Sequence, residues 1–264
     1  MDRPPIHVLL MGESGSGKDT FAATFPSPRL VWHLDGYGQE MPYKANKLLA
    51  SAENQYGQAR EIGPLQNWVI SGGLSVTYQD VIDAQGGFTR IEYYSSDNPT
   101  MPNVSSLLET RMSLFTAEQA SWKTLICGSL SSAALESRLT EQFVLNPQFK
   151  DPRKWYGAAT EYVERLIMMQ KALHCNVVFI CHVNREKDDV GGEFLYGPDL
   201  PGRLSYSAGR YFNEMYRVYI MRDAAGVPHR VVQTDGDGRF QVKTHINAPN
   251  PCWPSYESLW VNWR

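Results

Sequence analysis

Ile6-His7-Val8-Leu9-Leu10-Met11-Gly12-Glu13-Ser14-Gly15-Ser16-Gly17-Lys18-Asp19-Thr20 is the stretch whose reading decides the fold. Residues 6–11 form a short apolar run between Pro5 and Gly12. Such a run suits a strand buried on both faces, as in a parallel sheet. Next come a glycine, four residues, a glycine and a lysine, the pattern of a phosphate-binding P-loop up to its last position. Glycines let backbone N–H groups turn inward around phosphate oxygens, and the helix predicted from Lys18 adds the positive end of its dipole. Lys18 supplies a mobile charge for the β- and γ-phosphates. Residues 12–20 are therefore the candidate contacts of a nucleoside triphosphate, expected to be ATP.

The departure is Asp19. A Ser or Thr at this position normally coordinates Mg²⁺. The Asp19 carboxylate can take the metal instead, since Mg²⁺ favours oxygen ligands; alternatively its charge repels the β-phosphate. Thr20 falls one position late and faces about 100° away around a helix. Asp19 is thus the candidate metal ligand, with Mg²⁺ the expected cofactor.

Outward from the loop, residues 18–25 read as a short helix with Phe21, Ala22 and Phe25 on one face and Pro26 ending it. Residues 30–34, 124–127 and 176–183 read as further core strands. Residues 104–120, 133–144 and 155–173 read as helices, the last with Tyr162, Leu166, Met169 and Leu173 at helical spacing. Residues 43–94 change texture: a helix over 44–56 and short strands at 68–76, 81–82 and 88–94 predict an insertion with a small β-element. Residues 185–192 read as a polar loop. Residues 215–221, 229–233 and 240–246 read as antiparallel strands. The expectation is a single α/β domain over residues 1–264, its mainly parallel sheet extended by antiparallel strands, with an insertion at about 43–94.

Composition sets the outer limits. The 264 residues are 42% hydrophobic and 20% charged, ordinary values for a globular chain that can bury a large core. A net charge of −3 gives no global attraction to nucleic acid. The four cysteines form no CxxC pair, and His174, Cys175, Cys181 and His182 span one strand with Cys181 and His182 on opposite faces, so buried reduced thiols are expected. No leader or membrane-spanning run is visible, and a cytoplasmic protein is expected.

Several ordered segments narrow the reading. Phe21-Ala22-Ala23-Thr24-Phe25-Pro26 follows the loop, Leu34-Asp35-Gly36 ends the second strand and Trp155-Tyr156-Gly157 opens the long helix. Val178-Phe179-Ile180-Cys181-His182, Pro198-Asp199-Leu200-Pro201-Gly202-Arg203-Leu204 and Phe212-Asn213-Glu214 complete the series. This order resembles the phage-encoded RecA-like P-loop ATPases associated with single-strand annealing recombination. The resemblance implies an ATPase that binds ATP and releases ADP, acts with single-stranded DNA and phage recombination or replication proteins in the host cytoplasm, and forms a homo-oligomer. In that family the third core strand ends in an Asp that holds Mg²⁺ through water; here Gly128 stands in its place. Either Asp19 compensates, or hydrolysis has decayed.

The resemblance also implies individual roles. Asp35 is the candidate to polarise the attacking water, with Glu40 the alternative; Asp35 opening an Asp-Gly turn is the plain reading. His182 would sense the γ-phosphate, against the plain reading of a neutral core histidine. Lys243, expected on a late strand, would reach the γ-phosphate of a neighbouring subunit, a role for which His245 is less suited. Residues 185–193 occupy the DNA-contacting place, although Arg185 and Lys187 are offset by Glu186, Asp188, Asp189 and Glu193. Two other functions fit the loop: a nucleotide-gated binding module with little hydrolysis, and a nucleoside monophosphate kinase, which would need an Arg-rich lid that residues 203–222 do not clearly form.

Overall fold

The computed structural model describes residues 3–35, 61–69, 75–83, 85–94, 104–187 and 194–263. The expected helix at 44–56 lies outside them, as does Glu40. Six strands run parallel in the order β11 (Glu214–Arg222), β1 (His7–Met11), β8 (Asn176–Cys181), β7 (Thr124–Gly128), β2 (Arg29–His33) and β6 (Phe88–Tyr93). β12 (Pro228–Gln233) adds antiparallel to β11 at one edge. At the other, β5 (Ser75–Ile82) adds antiparallel to β6, and β3 (Glu61–Ile62) and β4 (Gln66–Val69) pair with β5. The fold is therefore the expected one: mixed α/β, mainly parallel, extended by antiparallel strands.

The middles of the core strands are apolar because both sheet faces are covered, while polar residues such as Arg29, His33, Thr124 and Asn176 sit at strand ends. Alternation sends Val8, Leu10, Ile126, Val178 and Ile180 to one face and Leu9, Met11, Leu125, Cys127 and Phe179 to the other. The first face is covered by α1 (Lys18–Ala22) and by chain from Ile246 to Trp260. The second carries α2 (Val104–Glu118), α3 (Leu130–Thr140), α4 (Pro152–Met169) and the short α5 (Leu204–Ser207). At five residues α1 is far below the roughly 12–15 that a helix needs to persist alone. Its anchors are Phe21 and Phe25, both buried, each worth on the order of 1.5–3 kcal/mol. α4 is the opposite case: Asp151 caps it by accepting from the Arg153 N–H, Pro152 opens it, and Tyr162, Val163, Leu166 and Ile167 bury one face.

Three expectations change. The strands of residues 61–93 continue the central sheet, β6 lying directly on β2. The stretch 185–192 is a loop only in part: β9 (Val183–Lys187) and β10 (Phe194–Pro198) pair as an antiparallel hairpin that begins one residue after His182. Residues 240–246 form no strand; single bridges tie Phe240 to Tyr196 and Lys243 to Met215. Their alternating pattern lacks a neighbouring strand to complete a ladder. All four cysteines are buried and free, as expected.

Candidate nucleotide-binding site

The parallel strands end together along one edge, and residues 12–18 fill the turn from the end of β1 into α1. Gly12 presses on β11: a Cβ there would stand 2.3 Å from the Val218 carbonyl oxygen and 2.6 Å from Ser16 Oγ. Gly15 and Gly17 adopt φ of 75° and 100°, a region that L side chains rarely occupy. Gly17 caps α1 without a side chain, while Glu13, Ser14 and Gly15 are exposed at the rim. Glycine thus serves close approach at position 12 and backbone handedness at 15 and 17.

Lys18 is 5% exposed and folds back over its own loop, donating from Nζ to the carbonyls of Gly12 and Glu13, both at 2.9 Å. Burial lowers its pKa, opposed most by the charge of Asp19. The hydroxyl of Ser16 is buried with no hydrogen-bond partner. A buried polar atom without a partner is unfavourable by itself. A lysine satisfied only by loop carbonyls and an orphaned hydroxyl in the same loop fit a phosphate chain that brings acceptors to both. Thr20 is half-buried on α1.

Asp19 lies next to Gly128. A Cβ built on Gly128 would meet Asp19 Oδ1 at 3.7 Å and Ile180 Cδ1 at 3.3 Å. The carboxylate on α1 therefore occupies the neighbourhood into which a side chain at the end of β7 would project. Among the described residues no group of three or more His, Cys, Asp or Glu is gathered as a metal cage. Mg²⁺ is commonly held by one or two carboxylates together with phosphate oxygens and water, and Asp19 offers one carboxylate.

The first turn of α3 organises the rest of the edge, a role that the sequence reading missed. Ser129 caps the helix by accepting from the Ser132 N–H at 3.1 Å. Ser132 Oγ donates to Asp35 Oδ1 at 2.5 Å. Ser131 Oγ accepts from the His182 N–H at 3.2 Å and donates to the Asp199 carbonyl at 2.8 Å. The Leu34 N–H donates to the Gly128 carbonyl at 2.6 Å. Asp35 and His182 are thus both tied to one helix start beside Gly128. The signal was present as Ser129, Ser131 and Ser132 directly after β7, hydroxyls that favour helix starts. Burial, helped by the Asp35 charge, pushes the Cys127 thiol well up, and burial pushes Cys181 up to about 12.

Lys243 stands apart from this cluster. Its Nζ donates to the Gly209 carbonyl at 2.5 Å and its backbone pairs with Met215, so the ammonium is tied to its own chain. In the hairpin, Arg185 lies 3.4 Å over the Phe194 ring and Glu186 accepts from Tyr206. Arg203 pairs with Glu164, and Arg222 donates to the Gly226 carbonyl. Arg217 stacks on Phe240, which in turn stacks on Tyr196. These rings, with Glu13 and Asp237, line a cavity of about 330 Å³ beside the loop. Among the described residues no helix is long and apolar enough to cross a membrane.

A parallel sheet with a buried first strand, a glycine loop at its carboxyl end and a lysine closing that loop define a P-loop nucleotide-binding ATPase domain. A family profile described as an AAA domain matches residues 4–245, and the chain belongs to that family. The flagellar accessory protein FlaH of Methanocaldococcus jannaschii is similar in structure at 11% identity, over 87% of this chain and 78% of that one, with a TM-score of 0.40. No curated protein matches the chain.

Proposed function

We propose that the chain is a Mg²⁺-dependent ATPase of phage DNA recombination, replication or repair, in which the nucleotide state controls single-stranded DNA binding or assembly in the host cytoplasm. The observation that carries the ATPase reading is the position of Asp19 against Gly128. One carboxylate on α1 stands in for the one that β7 lacks. Mg²⁺ held there would neutralise charge developing on the β- and γ-phosphates.

The chain's own groups divide the work. The loop amides and Ser16 receive the phosphates, and the Lys18 ammonium exchanges the carbonyls of Gly12 and Glu13 for phosphate oxygens. Asp35, oriented by Ser132, accepts a hydrogen bond from the attacking water; Glu40 is the second candidate for that role. His182, with its backbone held by Ser131, reports the γ-phosphate to the β9–β10 hairpin that starts at the next residue. Lys243 acts across a subunit boundary in a homo-oligomer once it leaves the Gly209 carbonyl. The DNA-binding part of the proposal is supported by the resemblance noted above. It is also supported by exposed Tyr206 beside the hairpin, an aromatic ring on which a base can stack.

A second reading, a nucleotide-gated binding module that hydrolyses little, is favoured by the glycine at 128. ATP turnover measured with Mg²⁺, with and without single-stranded DNA, separates the two. Turnover stimulated by DNA is expected. Tight ATP binding with no turnover in either condition defeats the ATPase reading and leaves the binding module.

A further inference from the structure

A second cation stands against the phosphate loop. β11 runs parallel to β1 with Met11 opposite Arg217, so residues beyond 217 continue past the end of β1 alongside the loop. β12 pairs back on this extension, Arg230 opposite Ile220. Val232 of β12 packs in the same buried cluster as α1, and a period of two puts Arg230 on that face, one step nearer the loop. Its side chain crosses Gly17: a Cβ on that glycine would meet Arg230 Cδ at 2.6 Å and Nε at 3.0 Å. Nε is buried and donates to nothing. Among the described residues Arg230 has no carboxylate partner; the nearby turn carboxylate, Asp223, accepts from His229 at 2.9 Å.

We propose that Arg230 is a second phosphate-binding cation of the site, supplied by β12 of the same chain, and that it contacts the phosphate chain of a bound nucleoside triphosphate. This rests on the triphosphate-binding reading of the loop. A guanidinium keeps its charge at any physiological pH and presents its donors as a planar fork that matches phosphate oxygens. An apolar side chain would cover Gly17 equally well without burying a donor that has no acceptor. The same contact gives Gly17 a second reason to be glycine, beside its positive φ.

The test is equilibrium calorimetry of ATP, GTP and inorganic tripolyphosphate with Mg²⁺, comparing the wild-type chain with Arg230→Met, Arg230→Lys and Lys18→Ala. Arg230→Met keeps the cover over Gly17 and should weaken all three ligands by on the order of tenfold, with Arg230→Lys recovering part of the loss. Wild-type affinity in Arg230→Met overturns the proposal. A loss confined to ATP and GTP also overturns it, because it places the guanidinium at base or sugar. If Arg230→Met fails to fold, Arg230→Lys against Arg230→Gln decides, and equal affinities overturn it. Binding that Lys18→Ala abolishes and Arg230→Met leaves intact defeats this inference alone; a wild-type chain that binds no triphosphate defeats the loop reading as well.

Discussion

The loop after β1 and the turn after β7 lie along one sheet edge with only β8 between them, yet they are built differently. The β1 corner is closed by backbone. Gly12 is pinned against a carbonyl of β11, Gly15 and Gly17 take positive φ, and Lys18 is buried on two loop carbonyls. The β7 corner is closed by side chains. Its glycine faces side chains rather than backbone, and Asp19, Asp35 and the serines of α3 fill the surroundings. A corner made of backbone admits few substitutions, whereas one made of side chains can move a carboxylate from one strand to another helix and keep the geometry.

The backbone corner depends most on its lysine. Lys18→Ala should lower ATP affinity about a hundredfold, the effect of losing hydrogen bonds from a charged donor. Calorimetry showing unchanged affinity would remove the loop as the binding site. The exchange of carboxylates comes next. Asp19→Ala should cut Mg²⁺-dependent turnover by on the order of thirtyfold, and Asp19→Ser combined with Gly128→Asp should restore most of it. Faster turnover in Asp19→Ala would mean that this carboxylate repels phosphate rather than holding metal.

The two glycines sharpen the contrast as stability. Gly12→Ala drives a methyl into a backbone oxygen and should destabilise by roughly 3 kcal/mol. Gly128→Ala meets only side-chain atoms and should cost about 1 kcal/mol or less. Urea unfolding of both variants checks this, and equal losses would erase the distinction between the corners. The smallest effect is expected at Ser132→Ala, which frees Asp35 from its donor. Turnover should fall by about threefold to tenfold with ATP affinity unchanged. A matching loss of affinity would assign Ser132 to binding instead.

The backbone corner was legible in the sequence and the side-chain corner was not, for a physical reason. Strands such as β1, β7 and β8 announce themselves because burial on both faces demands an unbroken apolar run through their middles. The P-loop does so because its backbone needs glycine at fixed spacing. Asp35 and His182 could be named as candidates, but the serines that hold them come from an element nearly a hundred residues from Asp35, and no local pattern records such pairing. The hairpin β9–β10 is hidden because β9 carries Arg185, Glu186 and Lys187, charges that read as loop. β6 reads as part of an insertion because strand pairing is not written in one strand alone. What fixes β6 is a buried fork, Arg111 of α2 bonded to Glu92 at 2.9 Å with both side chains 1% exposed. Arg230 left no local sign at all, since its meaning depends on β12 lying beside the loop.

The cover over α1 bears on how the protein is made. Phe25 meets Tyr256 at 5.0 Å, the Tyr256 N–H donates to Thr24 Oγ1, and Arg3 lies over Tyr256 and Trp260. The helix that carries the nucleotide lysine is too short to hold itself and is roofed by residues more than two hundred positions later in the chain. On a ribosome, which releases the chain from its N-terminus onward, β1 and its loop emerge early but must wait for that roof. The capacity to grip a nucleotide is thereby deferred until nearly the whole domain has been synthesised, so truncated chains should carry the loop sequence without its function.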